Sequence, residues 1–154
     1  MGAVHPRVLG YLGRALSLEL SAVQQYMTHA TLTQAWGDPE TADRFRRETV
    51  EEMQHAERIV QRMIALGVAP AASQLRAVAH ARDLVGLLRL NNILETELIH
   101  LYGEAVRFCL LIGDRENEAF FQTLWQEEQQ HGEELAAWVA SLTAAAPSLQ
   151  RAVF

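Results

Sequence analysis

All four prolines of this chain, and several of its glycines, fall where they would interrupt an otherwise unbroken helical pattern: Pro6, Gly37-Asp38-Pro39, Gly67 to Pro70, Gly113-Asp114 and Pro147. Between those marks the apolar residues recur at helical spacing and do not alternate as in strands. Four long helices are therefore predicted. The first runs from about Pro6 to Trp36, with Leu9, Leu12, Leu16, Val23, Tyr26 and Ala30 on its buried side. The second starts behind Asp38-Pro39, where Asp38 caps and Pro39 fills the first turn, and stops at Gly67. The third starts near Asp83 and carries Leu84, Leu87, Leu88, Asn91, Leu94, Leu98, Tyr102 and Ala105 as one stripe. The fourth follows Gly113-Asp114 and ends near Thr143, and the tail from Pro147 to Phe154 forms a short fifth helix. Joints of a few residues fold the first and second helices, and the third and fourth, into antiparallel hairpins. The stretch from Val68 to Arg82, about 15 residues, is long enough to span the bundle and set the third helix parallel to the second. The expected fold is all-α: one four-helix bundle with a long crossover, occupying residues 1–154 as a single domain.

Composition limits what such a bundle can do. With 49% hydrophobic residues in 154, the chain can bury a core of its own. Its 13 basic residues are all arginine and face 19 acidic ones, for a net charge of −6. That field repels phosphate backbones and attracts cations, so a nucleic-acid partner is not expected. No run of about 20 apolar residues offers a membrane span, and the N-terminus lacks the apolar stretch of a signal peptide. A lone Cys109 excludes a disulfide framework and fits a reducing compartment, so the expected location is the cytoplasm.

The chemistry lies in two matching spacings. Glu52-Met-Gln-His55 falls on the second helix and Glu128-Gln-Gln-His131 on the fourth. Three residues turn a helical side chain by about 300°, so each Glu stands one turn from its His on the same face. One E-x-x-H arises often by chance. Two gain weight because the first and third helices each place an acid on their apolar stripe. Glu19 lies between Leu16 and Val23. Glu95 lies with Leu88, Asn91, Leu98 and Tyr102, whereas Glu97 points about 200° away. By the same test His55 selects Glu52 over Glu51, and His131 selects Glu128 over Glu127. Four carboxylates in a dry core cost several kcal/mol each, at about the scale of buried ions generally, unless cations compensate them. Two divalent ions, bridged by two Glu and each completed by one Glu and one His, would do so. Hard carboxylates with imidazole suit iron or manganese, with open positions for oxygen.

The stretches LELSAVQQYMTHA around Glu19, EEMQHAERI around Glu52 and His55, ILETELIHLYGEA around Glu95 and QEEQQHGEEL around Glu128 and His131 closely resemble the bacterioferritins over nearly the whole chain. The resemblance implies a ferritin-like bundle with a ferroxidase centre of two iron ions per subunit. Glu52 and Glu128 would bridge, with Glu19 and His55, and Glu95 and His131, as terminal pairs. It further implies a hollow homo-oligomeric cage that oxidises Fe(II) with oxygen or peroxide and stores ferric mineral, and an electron donor of the ferredoxin type. Met53 falls where the family places the axial ligand of a haem b shared between two subunits. Position 53 is turned about 100° from Glu52, outward toward a partner. Met27, Phe45, Leu20 and Val50 are candidates to line that pocket. Ile59 and Glu134 stand where some members carry tyrosine and tryptophan, leaving Tyr26 and Trp36 as oxidisable side chains. The tail is several residues shorter than usual for the family. His5, His29, His80 and His100 have no partner at ligand spacing and read as surface or core residues, and Cys109 reads as a small buried hydrophobe. Glu48 and Glu51 would guide iron if they face a cavity. Two other readings stay open: a non-storage di-iron or iron-manganese oxidase or peroxidase of smaller assembly, and a haem-binding subunit that co-assembles with another ferritin.

Overall fold

A computed structural model describes the backbone of residues 3–151 and the side chains of residues 3–144. Its four helices are α1 (Pro6–Ala35), α2 (Pro39–Ala65), α3 (Leu84–Ile112) and α4 (Arg115–Arg151). The starts follow the capping chemistry. Asp38 accepts from Thr41 N at 3.1 Å, with Pro39 in the first turn of α2. Asp83 accepts from Gly86 N at 2.8 Å, and Asp114 from Asn117 N at 3.2 Å. Gly113, at φ 74°, ends α3 in the left-handed conformation that a side chain would strain.

One boundary differs from expectation. Helix α4 does not stop near Thr143 but runs through Pro147 to Arg151, so no separate fifth helix stands among the described residues. Proline removes one donor from a helical ladder, and here the backbone keeps its helical course across that gap. Residues 152–154 of the expected tail lie outside the described residues.

The crossover is an extended strap laid along α1. Four polar side chains of α1, spaced four residues apart and so aligned on one face, fasten it. Ser17 Oγ accepts from Gln74 N at 3.1 Å and Ser21 Oγ from Arg76 N at 3.0 Å. Gln25 Oε1 accepts from Ala79 N at 3.2 Å, and His29 Nε2 meets the Ala79 carbonyl at 2.7 Å. The strap thus runs parallel to α1, returns the chain to the other end, and sets α3 parallel to α2. Behind it, Gln25 Nε2 donates to Asn91 Oδ1 and Asn91 Nδ2 meets His29 Nδ1, tying α1 to α3 inside the bundle.

The interior divides into two apolar layers. One gathers Leu12, Leu16, Ile59, Leu98, Tyr102 and Phe121, and the other Ala22, Tyr26, Phe45, Leu88, Leu94 and Leu135. On each helix the gap between the layers falls at the carboxylate and imidazole positions: Glu19 on α1, Glu52 and His55 on α2, Glu95 on α3, Glu128 and His131 on α4. Phe45 is wholly buried in the second layer, against Tyr26, His29 and Trp138. It therefore does not line an outward pocket as the sequence reading expected: the turn of α2 that sends Met53 and Val50 out sends Phe45 in. Leu9 and Val23 are only partly buried, at the margin of the α1 stripe.

Candidate metal centre

Glu19, Glu52, Glu95 and Glu128 are each no more than 1% exposed, on four different helices. Their ligand-capable atoms and those of His55 and His131 form two overlapping groups: Glu19, Glu52, His55 and Glu128, and Glu52, Glu95, Glu128 and His131. Within each group the atoms lie within 4.8 Å of one another, and Glu52 and Glu128 belong to both. The structure therefore gathers all six residues singled out by spacing, with the alternatives outside. Glu97 pairs instead with Arg76 of the strap.

The two histidines are arranged with near-twofold regularity. His55 Nδ1 is 2.7 Å from Glu128 Oε1 and 3.4 Å from Glu19 Oε1, and its Nε2 is 2.9 Å from Glu127 Oε2. His131 Nδ1 is 2.9 Å from Glu52 Oε1, and its Nε2 reaches Glu51 Oε2. Each imidazole thus presents Nδ1 to the cluster and takes an outer carboxylate from the opposite helix on Nε2, the arrangement that fixes the orientation of a metal-binding histidine. Arg58 holds Glu127 at 2.6 Å. Sequence reasoning set Glu51 and Glu127 aside as ligands and missed this outer role. The signal was present as a doubled acid, Glu51-Glu52 and Glu127-Glu128, ahead of each histidine.

Two phenols complete the surroundings. Tyr102 Oη donates to Glu19 Oε1 at 2.6 Å, and Tyr26 Oη to Glu95 Oε1 at 3.0 Å. Burial first, then the neighbouring carboxylates, raises both phenols well above their ordinary pKa, so they remain donors. The second oxygens of Glu19, Glu52, Glu95 and Glu128 are buried with no hydrogen-bond partner. Such orphans are costly in a dry core, and four of them on the carboxylates of the two overlapping groups fit cations.

Protons follow the same logic. Burial, and then the charges of Glu52 and Glu128, push Glu19 and Glu95 well above the usual carboxylate range. Burial acts to lower His55 and His131, but hydrogen bonds from the carboxylates overcome it. His131 reaches about 11, held by Glu128 and Glu52, and His55 rises by the same cause. Glu128 is depressed despite its burial, by the adjacent Glu95, His131 and His55. Protons here occupy the electrostatic role that cations would take, so metal binding must displace them.

A groove of about 780 Å³ between α2 and α4 reaches the outer side of both histidines and is lined by Glu51, Gln54, Glu57, Gln126, Glu127 and Gln130, among others. Glu48 lies behind it, 3.8 Å from His131, raised to about 7 chiefly by burial. Met53 is 52% exposed, and Met27 and Val50 are 53% exposed each. The remaining histidines behave as expected: His29 is a bonded core residue, His5 caps α1, and His80 and His100 are exposed. Cys109 is buried, which raises its thiol to about 11. No helix among the described residues is long and apolar enough to cross a membrane.

The Ferritin-like domain family matches residues 9–145. Bacterioferritin of Rhodobacter capsulatus is 31% identical over 125 residues, covering 81% of this chain and 78% of the relative. Bacterioferritin of Brucella melitensis is 30% identical over 126 residues, covering 82% and 78%. A crystal structure of the Rhodobacter capsulatus protein, with a metal-free dinuclear site and haem iron in a crystallographic special position, superposes with a TM-score of 0.89. The match has 28% identity and covers 96% of this chain and 92% of that one. Bundle and crossover thus agree with the structural likeness, and the chain belongs to the bacterioferritins, within the ferritin-like family.

Proposed function

We propose that this protein oxidises Fe(II) to Fe(III) with oxygen or peroxide and stores the product as ferric mineral inside a homo-oligomeric cage in the cytoplasm. The observation that carries the reading is the pair of four-residue groups sharing Glu52 and Glu128, buried between two apolar layers. Two Fe(II) ions are the substrate. Glu52 and Glu128 would bridge them, Glu19 with His55 and Glu95 with His131 would complete the two positions, and the second carboxylate oxygens, without hydrogen-bond partners, are free to ligate. Glu127 and Glu51 orient the imidazoles through Nε2. Tyr102 and Tyr26 hold Glu19 and Glu95 by one oxygen each, leaving the other for metal. The acidic, glutamine-rich groove concentrates cations at the outer side of the histidines.

Met53 fits a haem shared with a second copy. Its side chain is exposed, as are those of Met27 and Val50, and a twofold axis would present the same residues from the partner. Such a haem supplies one-electron transfer when bound, and a ferredoxin-type protein is a suitable donor to it. Spectra of the purified protein and of Met53→Leu test this directly, the expected result being a Soret band in the first and its loss in the second.

The main test is stopped-flow Fe(II) oxidation together with gel filtration after iron loading. Rapid oxidation, abolished in Glu52→Ala and His55→Ala, and a large assembly retaining many irons per chain are expected. Unchanged kinetics in both variants would favour a haem-binding subunit that co-assembles with another ferritin. A dimer that keeps only its bound pair of metals would favour a small di-iron oxidase or peroxidase.

A further inference from the structure

Four hydrogen bonds close into a ring where the strap passes the turn of α1 that carries His29. The Ala79 amide donates to Gln25 Oε1 at 3.2 Å, and Gln25 Nε2 donates to Asn91 Oδ1 at 2.9 Å. Asn91 Nδ2 lies 3.0 Å from His29 Nδ1, and His29 Nε2 lies 2.7 Å from the Ala79 carbonyl. The ring thus begins and ends on one strap residue. A carbonyl only accepts, so Nε2 carries the imidazole proton and Nδ1 is the bare nitrogen that accepts from Asn91. Every donor then points the same way round. Gln25, His29 and Asn91 are at most 4% exposed, so the three side chains depend on one another and on the strap for partners.

A second proton on His29 breaks this order and cannot be absorbed within it. Its Nδ1–H would face the Asn91 amino group. Turning the Asn91 amide over offers Oδ1 to the imidazolium but sets its amino group against that of Gln25. Turning Gln25 in response sets an amino group against the Ala79 N–H. The conflict is passed round the ring until it reaches the strap, where two buried donors meet at the cost of both bonds.

We propose that the ring is a proton-operated latch: a proton on His29 Nδ1 releases the strap at Ala79, and its departure fastens the strap again. The other fastenings, Ser17 to Gln74 and Ser21 to Arg76, use hydroxyls that do not titrate, and Arg76 is also paired with Glu97. Release is therefore confined to the residues between Arg76 and the α3 cap at Asp83. These residues border a cavity of about 160 Å³, lined by Ala77 and Ala79 of the strap and by Leu90, Ile93 and Leu94 of α3, among others, which the released strap uncovers.

The surroundings of His29 favour its neutral form. From α3 it meets the Asn91 amide, and from α2 the Phe45 ring at 5.9 Å in an edgewise contact. The charged neighbour is His80 of the strap. Burial lowers His29 from its usual range, His80 adds to the fall, and the bond to Ala79 opposes it. In the released strap the imidazole regains an ordinary pKa, so the latch holds fully above about pH 6.5 and loosens as the pH falls below it.

Hydrogen exchange of the assembled, metal-free protein reads the latch residue by residue, with each rate divided by that of an unstructured chain at the same pH. Protection of the Ala79 amide should fall about tenfold from pH 7.5 to pH 5, while the Gln74 and Arg76 amides keep theirs. In His29→Gln the side-chain amide donates to Ala79 and accepts from Asn91 without titrating, so protection at Ala79 should stay level. Asn91→Asp carries the sharper expectation. A carboxylate accepts from both Gln25 and the imidazolium, which satisfies the whole ring with His29 charged, and the acid loss of protection should disappear. Level protection at Ala79 in the wild type would overturn the latch. So would an acid loss in Asn91→Asp equal to that of the wild type, because some other group would then be opening the strap. Should His29→Gln fail to fold, Asn91→Asp decides alone.

Discussion

Replacing Glu95 by leucine, together with Tyr26 by phenylalanine, should make the metal-free protein more stable while destroying one of its two metal positions. Glu95 is 1% exposed, with one oxygen accepting from Tyr26 at 3.0 Å and the other buried without a partner. Its raised pKa shows that the fold tolerates it best with a proton on. Removing the orphaned oxygen relieves about 1–3 kcal/mol, but Glu95→Leu alone strands the Tyr26 hydroxyl at a similar cost. The single variant should therefore lie close to wild type, and the double variant about 1–3 kcal/mol above it. That sign agrees with the general outcome of exchanging buried ionic groups for apolar ones of similar volume. Guanidinium denaturation of chelator-treated protein, at one fixed concentration because subunits associate, reads the difference as a higher midpoint at constant slope. A parallel Co(II) titration should lose one of the two sites. A double variant less stable than wild type without metal would refute the reasoning, since the carboxyl would then be holding the bundle together.

The pH response of the metal-free protein should have a definite sign. His131 is raised to about 11 and His55, Glu19 and Glu95 are raised as well, so the folded chain holds protons that the unfolded chain releases. For the histidines that stabilisation is full below about pH 6.5 and fades toward about pH 11, so the thermal midpoint should fall across that window. The depressed Glu128 acts oppositely, but its contribution is lost only on the acid side. Saturating Co(II) should flatten the alkaline slope, and a midpoint that climbs from about pH 7 to pH 10 would contradict the assignment. Glu127→Gln should weaken Co(II) binding by about 10–100-fold, because His55 loses a charged partner on Nε2, and titration by absorbance checks it. Gln25→Ala removes bonds to Asn91 and from Ala79 N. It should cost about 1–3 kcal/mol and accelerate hydrogen exchange at the Ala79 amide, whereas unchanged protection would show that the strap does not depend on it.

What could be read beforehand was whatever depends on rotation about one helix axis. Helix starts followed from Asp38, Asp83 and Asp114, whose side chains act on the next few amides. The six cluster residues followed from their angular places on apolar stripes, which also rejected Glu97. Contacts between helices were less legible, because they depend on how far each helix is turned toward its neighbour. The inward faces of Tyr26 and Tyr102 were visible, but not that they bond to Glu95 and Glu19. The outer bonds of Glu51 and Glu127 cross from one helix to the other, so the rule that excluded them as ligands could not reveal them. Phe45, a candidate with Met27, Leu20 and Val50 to line the outward pocket, instead packs against Trp138 and His29 with its ring inward, a contact between helices that no single helix reveals. Pro147 marks an interruption in the sequence, but one missing donor does not oblige a helix to end, and α4 runs through it.

The strap also behaves as a measuring tape. Its attachments at Gln74, Arg76 and Ala79 match positions on α1 set by the pitch of a helix, and an extended chain covers roughly twice as much distance per residue as a helix does. Adding or deleting one residue between these attachments would put every later one out of step with Ser17, Ser21, Gln25 and His29. Length variation in relatives should therefore collect before Gln74 or after Ala79, leaving the stretch between them constant in residue count even where its identities drift.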